Sequence, residues 1–152
     1  MELTARLLDF INQKLELTNY CLPHFYPTSE TFERFQIGYR MDGNTGNKIT
    51  GEGAGDFREA WYVICSGYAD DPFFIDISEQ QQNYPVYFAW HGAGDWTPLR
   101  VADSITAFSD NLKLLKTIEE SEANNQVELA KHFDVTDGFW QEVYNEYEVF
   151  EN

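Results

Sequence analysis

Between Trp61 and Val101, four short β-prone runs follow one another with connections too short to hold a crossover helix. That spacing calls for a mainly antiparallel sheet. Trp61-Tyr62-Val63-Ile64-Cys65 is β-branched and aromatic and stops at Ser66-Gly67. Phe73 to Ile77 alternates, which places Phe73, Ile75 and Ile77 on one face and Phe74 and Asp76 on the other. Val86 to Trp90 is the third run and Leu99-Arg100-Val101 a short fourth, and Trp61, Phe88 and Trp90 read as core aromatics. The period then changes. Ile105, Phe108, Leu112 and Leu115 form a helical stripe, extended by Ile118, with Asp103 or Ser104 placed to cap it.

The flanks supply the remaining elements. Leu3, Leu7, Ile11 and Leu15 recur at helical spacing, and Pro23 interrupts the chain after them. Phe35, Ile37 and Tyr39 alternate as a strand would, and the turn signal Asp42 to Asn47 predicts a hairpin to Lys48-Ile49-Thr50. A shorter helix is expected around Val127 to His132. A last one carries Phe139, Trp140, Val143, Tyr144, Tyr147 and Phe150 on one side. Strands and helices are segregated, so the expected class is α+β, a twisted antiparallel sheet with helices packed on one face. No Pro- or Gly-rich linker divides the chain, and residues 1–152 are expected to form a single domain. The expected core combines Trp61, Val63, Phe73, Ile75, Ile77, Val86 and Phe88 with Ile105, Phe108, Leu112 and Leu115.

Charge limits the partners. Ten Lys and Arg face 26 Asp and Glu, a formal net charge of -16. Nucleic-acid phosphates need cations opposite them, and anionic lipid does too, so neither is an expected partner. A basic protein or a metal ion is favoured. From Thr117 onward Lys131 is the only base among ten acids. Those acids read either as a solvated helical face or as an interaction surface. Met1 to Arg6 has no basic n-region followed by an apolar stretch, and no apolar run approaches a membrane span. Cys21 and Cys65 form no CxxC pair, and Cys65 sits in an apolar run as a small hydrophobe. A cytoplasmic protein with free thiols is the expectation.

Few residues suggest chemistry. Gly53-Ala54-Gly55-Asp56 is echoed by Gly92-Ala93-Gly94-Asp95, each followed by an aromatic. With no helix start and no Lys behind it, this pattern suits tight turns with a positive φ better than a phosphate cradle. His91 and Asp95 form the most enzyme-like pair, with His24 and His132 as conceivable partners. Their loop spacing does not place them on one face as a helical HExxH would. Asp70-Asp71-Pro72 lacks the alternating acids, the glycine and the closing Glu of a calcium loop. No nucleophile elbow and no phosphate-loop motif is present. No catalytic residue, no metal and no cofactor is expected.

The central stretch nevertheless has a recognisable order. It runs Trp61-Tyr62-Val63-Ile64, Ala69-Asp70-Asp71-Pro72-Phe73-Phe74-Ile75-Asp76-Ile77-Ser78, Pro85-Val86-Tyr87, His91-Gly92-Ala93-Gly94-Asp95-Trp96, then Val101-Ala102-Asp103-Ser104 and Phe108. Over about residues 57–118 it resembles the SUKH superfamily, which is shared by bacterial immunity proteins and a fungal regulator of cell-wall synthesis. The resemblance implies an α+β fold, an intracellular location and no catalysis. It implies an immunity protein that neutralises a cognate toxin by binding it, or else a regulatory or scaffold protein linked to cell-wall synthesis or signalling. A nuclease toxin must be basic to hold nucleic acid, and an acidic inhibitor would be steered onto it. The expected contact residues are the loop acids Asp70, Asp71, Glu79 and Asp95, with Glu142, Glu146 and Glu148 of the C-terminal region as the alternative.

Overall fold

The structure is a computed structural model that describes residues 1–151, with side chains described through Glu148. Phe150, assigned above to the last apolar stripe, therefore lies outside the described side chains. Four strands, β1 (Trp61–Ser66), β2 (Pro72–Asp76), β3 (Val86–Phe88) and β4 (Leu99–Ala102), form one sheet in the order β1-β2-β3-β4. Every pairing is antiparallel. The helices are α1 (Ala5–Gln13), α2 (Phe32–Phe35), α3 (Ile105–Glu120), α4 (Asn125–His132) and α5 (Gly138–Glu151).

One face of the sheet meets α1, α3, α4 and α5. Leu7, Phe10 and Ile11 of α1 and Phe108, Leu112 and Leu115 of α3 pack with Leu129, Phe139, Val143 and Tyr147 over Ile64, Phe73, Ile75, Val86 and Phe88. Ser104 caps α3, its hydroxyl accepting the Ala107 N–H at 3.0 Å. The opposite face has its own smaller core, Tyr39, Phe57, Val63, Phe74 and Ala89, with Phe35, Trp61, Tyr87 and Trp96 around it. Loop aromatics cover this face in place of helices. Alternation along β2 sends Phe73 and Ile75 to the helices and Phe74 to the loops. A bulge between Val63 and Cys65 reverses the alternation in β1, so Ile64 and Cys65 both reach the helical core while Val63 faces the loops.

Several expectations fail here. Phe35 to Tyr39 is not a strand: Phe35 ends α2, Gly38 takes a φ of +93°, and Ile37 makes only an isolated bridge to Met41. The buried polar residue of this segment is Gln36, whose amide does the work of a strand. Its Nε2 donates to the Val63 carbonyl at 2.9 Å, and its Oε1 accepts the Val63 N–H at 2.9 Å. The turn at Asp42–Asn47 forms, with the Asp42 carboxylate accepting the Asn44 and Thr45 N–H groups. The hairpin beyond it shrinks to one bridge, Met41 to Lys48. Ile77 leaves the core and is 38% exposed, because the Asp76 carboxylate accepts the Ser78 N–H and starts a 3₁₀ segment, Ile77–Gln82. Trp90 is likewise 38% exposed, since β3 ends at Phe88.

Both sheet edges receive hydrogen bonds from outside the sheet. Beside β1, Phe25 pairs with Ser66, Gln36 holds Val63, and the Arg40 guanidinium donates to the Trp61 carbonyl at 2.6 Å. Beside β4, the Trp140 indole donates to the Val101 carbonyl at 3.1 Å. The two Gly-Ala-Gly-Asp turns lie against each other, the Trp96 N–H donating to the Gly55 carbonyl at 2.8 Å. Gly55 and Gly94 take the positive φ, +83° and +89°. A Cβ on Gly55 would fall 2.5 Å from Cβ of Asp95, so glycine there is required by φ and by space alike.

Candidate functional site

The β1–β2 connection, Gly67 to Asp71, is a tight turn closed by the Gly67 N–H on the Asp71 carbonyl at 3.0 Å. Asp70 occupies the left-handed region at φ +60°, which a short polar side chain tolerates better than most. Tyr39 pins this backbone from below, donating its hydroxyl to the Asp70 carbonyl at 2.6 Å. The next loop holds it from the side, the His91 N–H donating to Oδ1 of Asp71 at 2.7 Å.

A second segment joins the turn. Asn19 is fully buried. Its Nδ2 donates to the Val143 carbonyl of α5 at 2.9 Å, and its Oδ1 accepts the Cys21 N–H. The Asn19 carbonyl meets Nε2 of His24 at 2.8 Å. These bonds, with the Phe25–Ser66 bridge, lay residues 19–25 beside the turn. The outcome is a cluster of exposed rings centred on Tyr68. His24 stacks on it at 3.7 Å and Tyr20 at 5.5 Å, and Phe25 meets it edge-on at 5.9 Å. Tyr20, Phe25 and Tyr68 are 44%, 46% and 54% exposed. Phe25 also borders a cavity of about 450 Å³ shared with Ile37, Tyr39, Asp70 and His91.

Asp70 and Asp71 share the turn with Tyr68, and Cys21 lies in the segment that carries the other rings. Burial raises the Cys21 thiol to about 12, and Glu146, Glu142 and Asp71 add to the effect. Two of those carboxylates come from α5 and one from the β1–β2 turn, and each acts on the Cys21 thiol. Burial likewise lifts the Asp71 carboxyl above the usual carboxylate range, against the pull of the His91 N–H. Among the described residues neither Asp70 nor Asp71 forms an ion pair. A group whose pKa is raised by folding weakens the fold above that pKa, and the cost disappears as pH falls through it. Asp71→Asn keeps an acceptor for the His91 N–H and removes that cost. It should leave the melting temperature at pH 7 equal to or slightly above wild type, and the gap should vanish toward pH 3. A drop at pH 7 would show that the carboxylate charge stabilises the turn.

The other acids expected to make contacts lie elsewhere. Glu79 is beyond the far end of β2, accepting the Tyr87 hydroxyl at 2.8 Å. Asp95 sits on the loop folded over the second core, where it accepts the Thr97 hydroxyl at 3.2 Å. Glu148 is exposed on α5. The His91 ring packs against Tyr39 and Trp96 and shares no hydrogen bond with Asp95. His132 lies in the last turn of α4. Among the described residues no three His, Cys, Asp or Glu side chains converge as metal ligands would. The ring cluster escaped sequence reasoning because Asn19 to Phe25 has no periodicity, and Tyr68 stands in a turn.

A family model described as SMI1 / KNR4 family (SUKH-1) matches residues 3–111. The chain belongs to this family. No curated protein and no solved structure matches it. The SUKH-1 match spans all four strands and reaches well before the 57–118 block that carried the resemblance. It thus includes Tyr20 to Phe25 and the β1–β2 turn, whereas Glu142 and Glu146 follow it. At the level of the family, SUKH-1 membership supports a role as an immunity protein or as a regulator of the SMI1 / KNR4 kind, and such proteins are generally non-catalytic. Among the described residues no helix is long and apolar enough to cross a membrane.

Proposed function

We propose that this chain is a non-catalytic binding module of one domain in the cytoplasm, an immunity protein that neutralises a basic protein toxin. Its recognition surface is the Tyr68 ring cluster with Asp70, Asp71, Glu142 and Glu146 around it. The observation that carries this reading is the company those rings keep. Exposed aromatics held rigid by stacking make good anchors, and unpaired acids beside them await a cationic counterpart. Asp71 is half-buried and forms no ion pair among the described residues, an arrangement that serves a partner better than the free fold. The net charge of -16 would steer a basic domain toward it. A nuclease is the fitting toxin class, since its substrate demands a basic cleft that this surface would occlude.

Pull-down of the tagged chain with toxin domains from its own host tests the reading. The tagged chain should capture a basic domain and suppress its activity. Tyr68→Ala should weaken capture about 30-fold or more, as loss of a central anchor does, with little change in melting temperature. Undiminished binding by this variant would remove the ring cluster as the interface.

A further inference from the structure

A second concave site lies on the loop-covered face, at the end of the sheet where β2 passes into the 3₁₀ segment. Trp61, Asp76, Ser78, Glu79, Tyr87 and Pro98 line a cavity of about 450 Å³, within the range that holds small ligands. Its aromatic walls are fixed from behind. Phe74 lies between them, with ring centres 4.8 Å from Trp61 and 5.9 Å from Tyr87, and Phe57 meets Trp61 edge-on at 5.2 Å. Its acids are fixed too. Asp76 uses Oδ1 to accept the Ser78 N–H and hydroxyl at 2.9 and 2.6 Å. Both Glu79 oxygens meet the Tyr87 hydroxyl, at 2.8 and 3.1 Å. Burial and Glu79 raise that phenol to about 12, so it remains a neutral donor. Arg100, the base that also acts on Tyr87, pairs with Asp103 at 3.4 Å.

We infer that this cavity takes the guanidinium or ammonium side chain of one arginine or lysine presented by a protein partner. An indole face and a phenol face attract a cation through their ring quadrupoles, and the effect grows when water is excluded. Carboxylates of Asp76 and Glu79 at the rim complete the recognition with charge-assisted hydrogen bonds. An anion would face two carboxylates. A purely apolar side chain would desolvate both without compensation. The planar guanidinium of arginine also stacks on aromatic rings, which favours it over lysine. The inference rests on the binding-module reading only for the source of the side chain. The cavity's preference for a cation is a property of this chain alone.

Titration of the ¹⁵N-labelled chain, followed at the Trp61 indole N–H, tests it without any partner. The probes are capped Gly-Arg-Gly, Gly-norleucine-Gly and Gly-Glu-Gly peptides. The arginine peptide should give a saturable shift with a Kd of about a few millimolar, as one cation–π contact with one charged bond allows. The other two should bind at least about fivefold more weakly. Glu79→Gln keeps an acceptor for Tyr87 and should weaken the arginine peptide about tenfold while leaving the melting temperature in place. Equal binding of the norleucine peptide, no shift with arginine, or an unaltered Kd in Glu79→Gln would each overturn the inference. A selective cavity in a chain that captures no toxin would reject the immunity reading alone.

Discussion

Phe108→Ala should lower the unfolding free energy by about 3–5 kcal/mol in a denaturant titration. The ring is fully buried in α3. It stacks on Phe10 of α1 at 5.7 Å and on Phe73 of β2 at 5.4 Å. Phe73 in turn meets Phe88 and Phe139, so the Phe108 ring links α1 to the sheet directly and to the C-terminal helix through Phe73. Removing it opens a cavity that three elements border, and none can collapse into it without shifting the others. Domains of this size are stable by about 5–15 kcal/mol, so the loss would consume a large part of the total. Phe108→Leu keeps most of the volume and should cost less than about 2 kcal/mol. A loss below about 1 kcal/mol in the alanine variant would show that the helical layer does not depend on this stack.

Gln36→Ala should cost about 2–5 kcal/mol, although it removes no large side chain. The amide is fully buried and satisfies both the N–H and the carbonyl of Val63, and it also donates to the Phe32 carbonyl at 3.1 Å. Val63 is itself fully buried, so alanine would leave its two backbone groups without partners, each costing about 1–3 kcal/mol. Gln36→Glu gives a sharper test. Its carboxylate still accepts the Val63 N–H but faces the Val63 carbonyl, which raises the folded-state pKa of the new acid. The deficit relative to wild type should therefore be largest at pH 7 and shrink as pH falls through that raised value. A deficit that does not change with pH would mean that the edge has another stabilising contact.

The contrast between these two residues shows what the sequence could and could not reveal. Phe108 belongs to a stripe with Leu112 and Leu115, and helical periodicity exposes such a residue directly. The strands around Phe73 and Val86 were equally legible, because alternation and short connections are local properties. Gln36 was hidden inside an alternating run in which Phe35, Ile37 and Tyr39 invited a strand. Nothing local shows that a glutamine amide will take the place of one 27 residues away in sequence. Ile77 was misplaced for a related reason: Asp76 carries no mark in sequence of being a cap that ends the strand. The candidate site was only partly visible in the sequence. Asp70 and Asp71 were visible as acids at a strand end. The rings around them come from residues 20–25 and from Tyr68, brought together by Asn19 and the Phe25–Ser66 bridge. That juxtaposition is tertiary and left no periodic trace.

The structure also decides which acids suit a binding test. Asp71 holds the His91 N–H, and reversing its charge would disturb the turn itself. Asp70→Asn retains a side chain at home in the left-handed region, and Glu142 is exposed on α5. The most direct test of the proposed surface is therefore the association rate of the captured basic domain with wild type and with Asp70→Asn/Glu142→Lys, across a range of salt. Rim charges act mainly on association, and screening shortens their reach to about 10 Å at 0.1 M salt. The double variant should associate roughly three- to tenfold more slowly at low salt, show a flatter salt dependence, and converge with wild type at high salt, with the melting temperature unchanged. Equal association rates at low salt would contradict the placement of recognition at the Tyr68 cluster and its ring of acids.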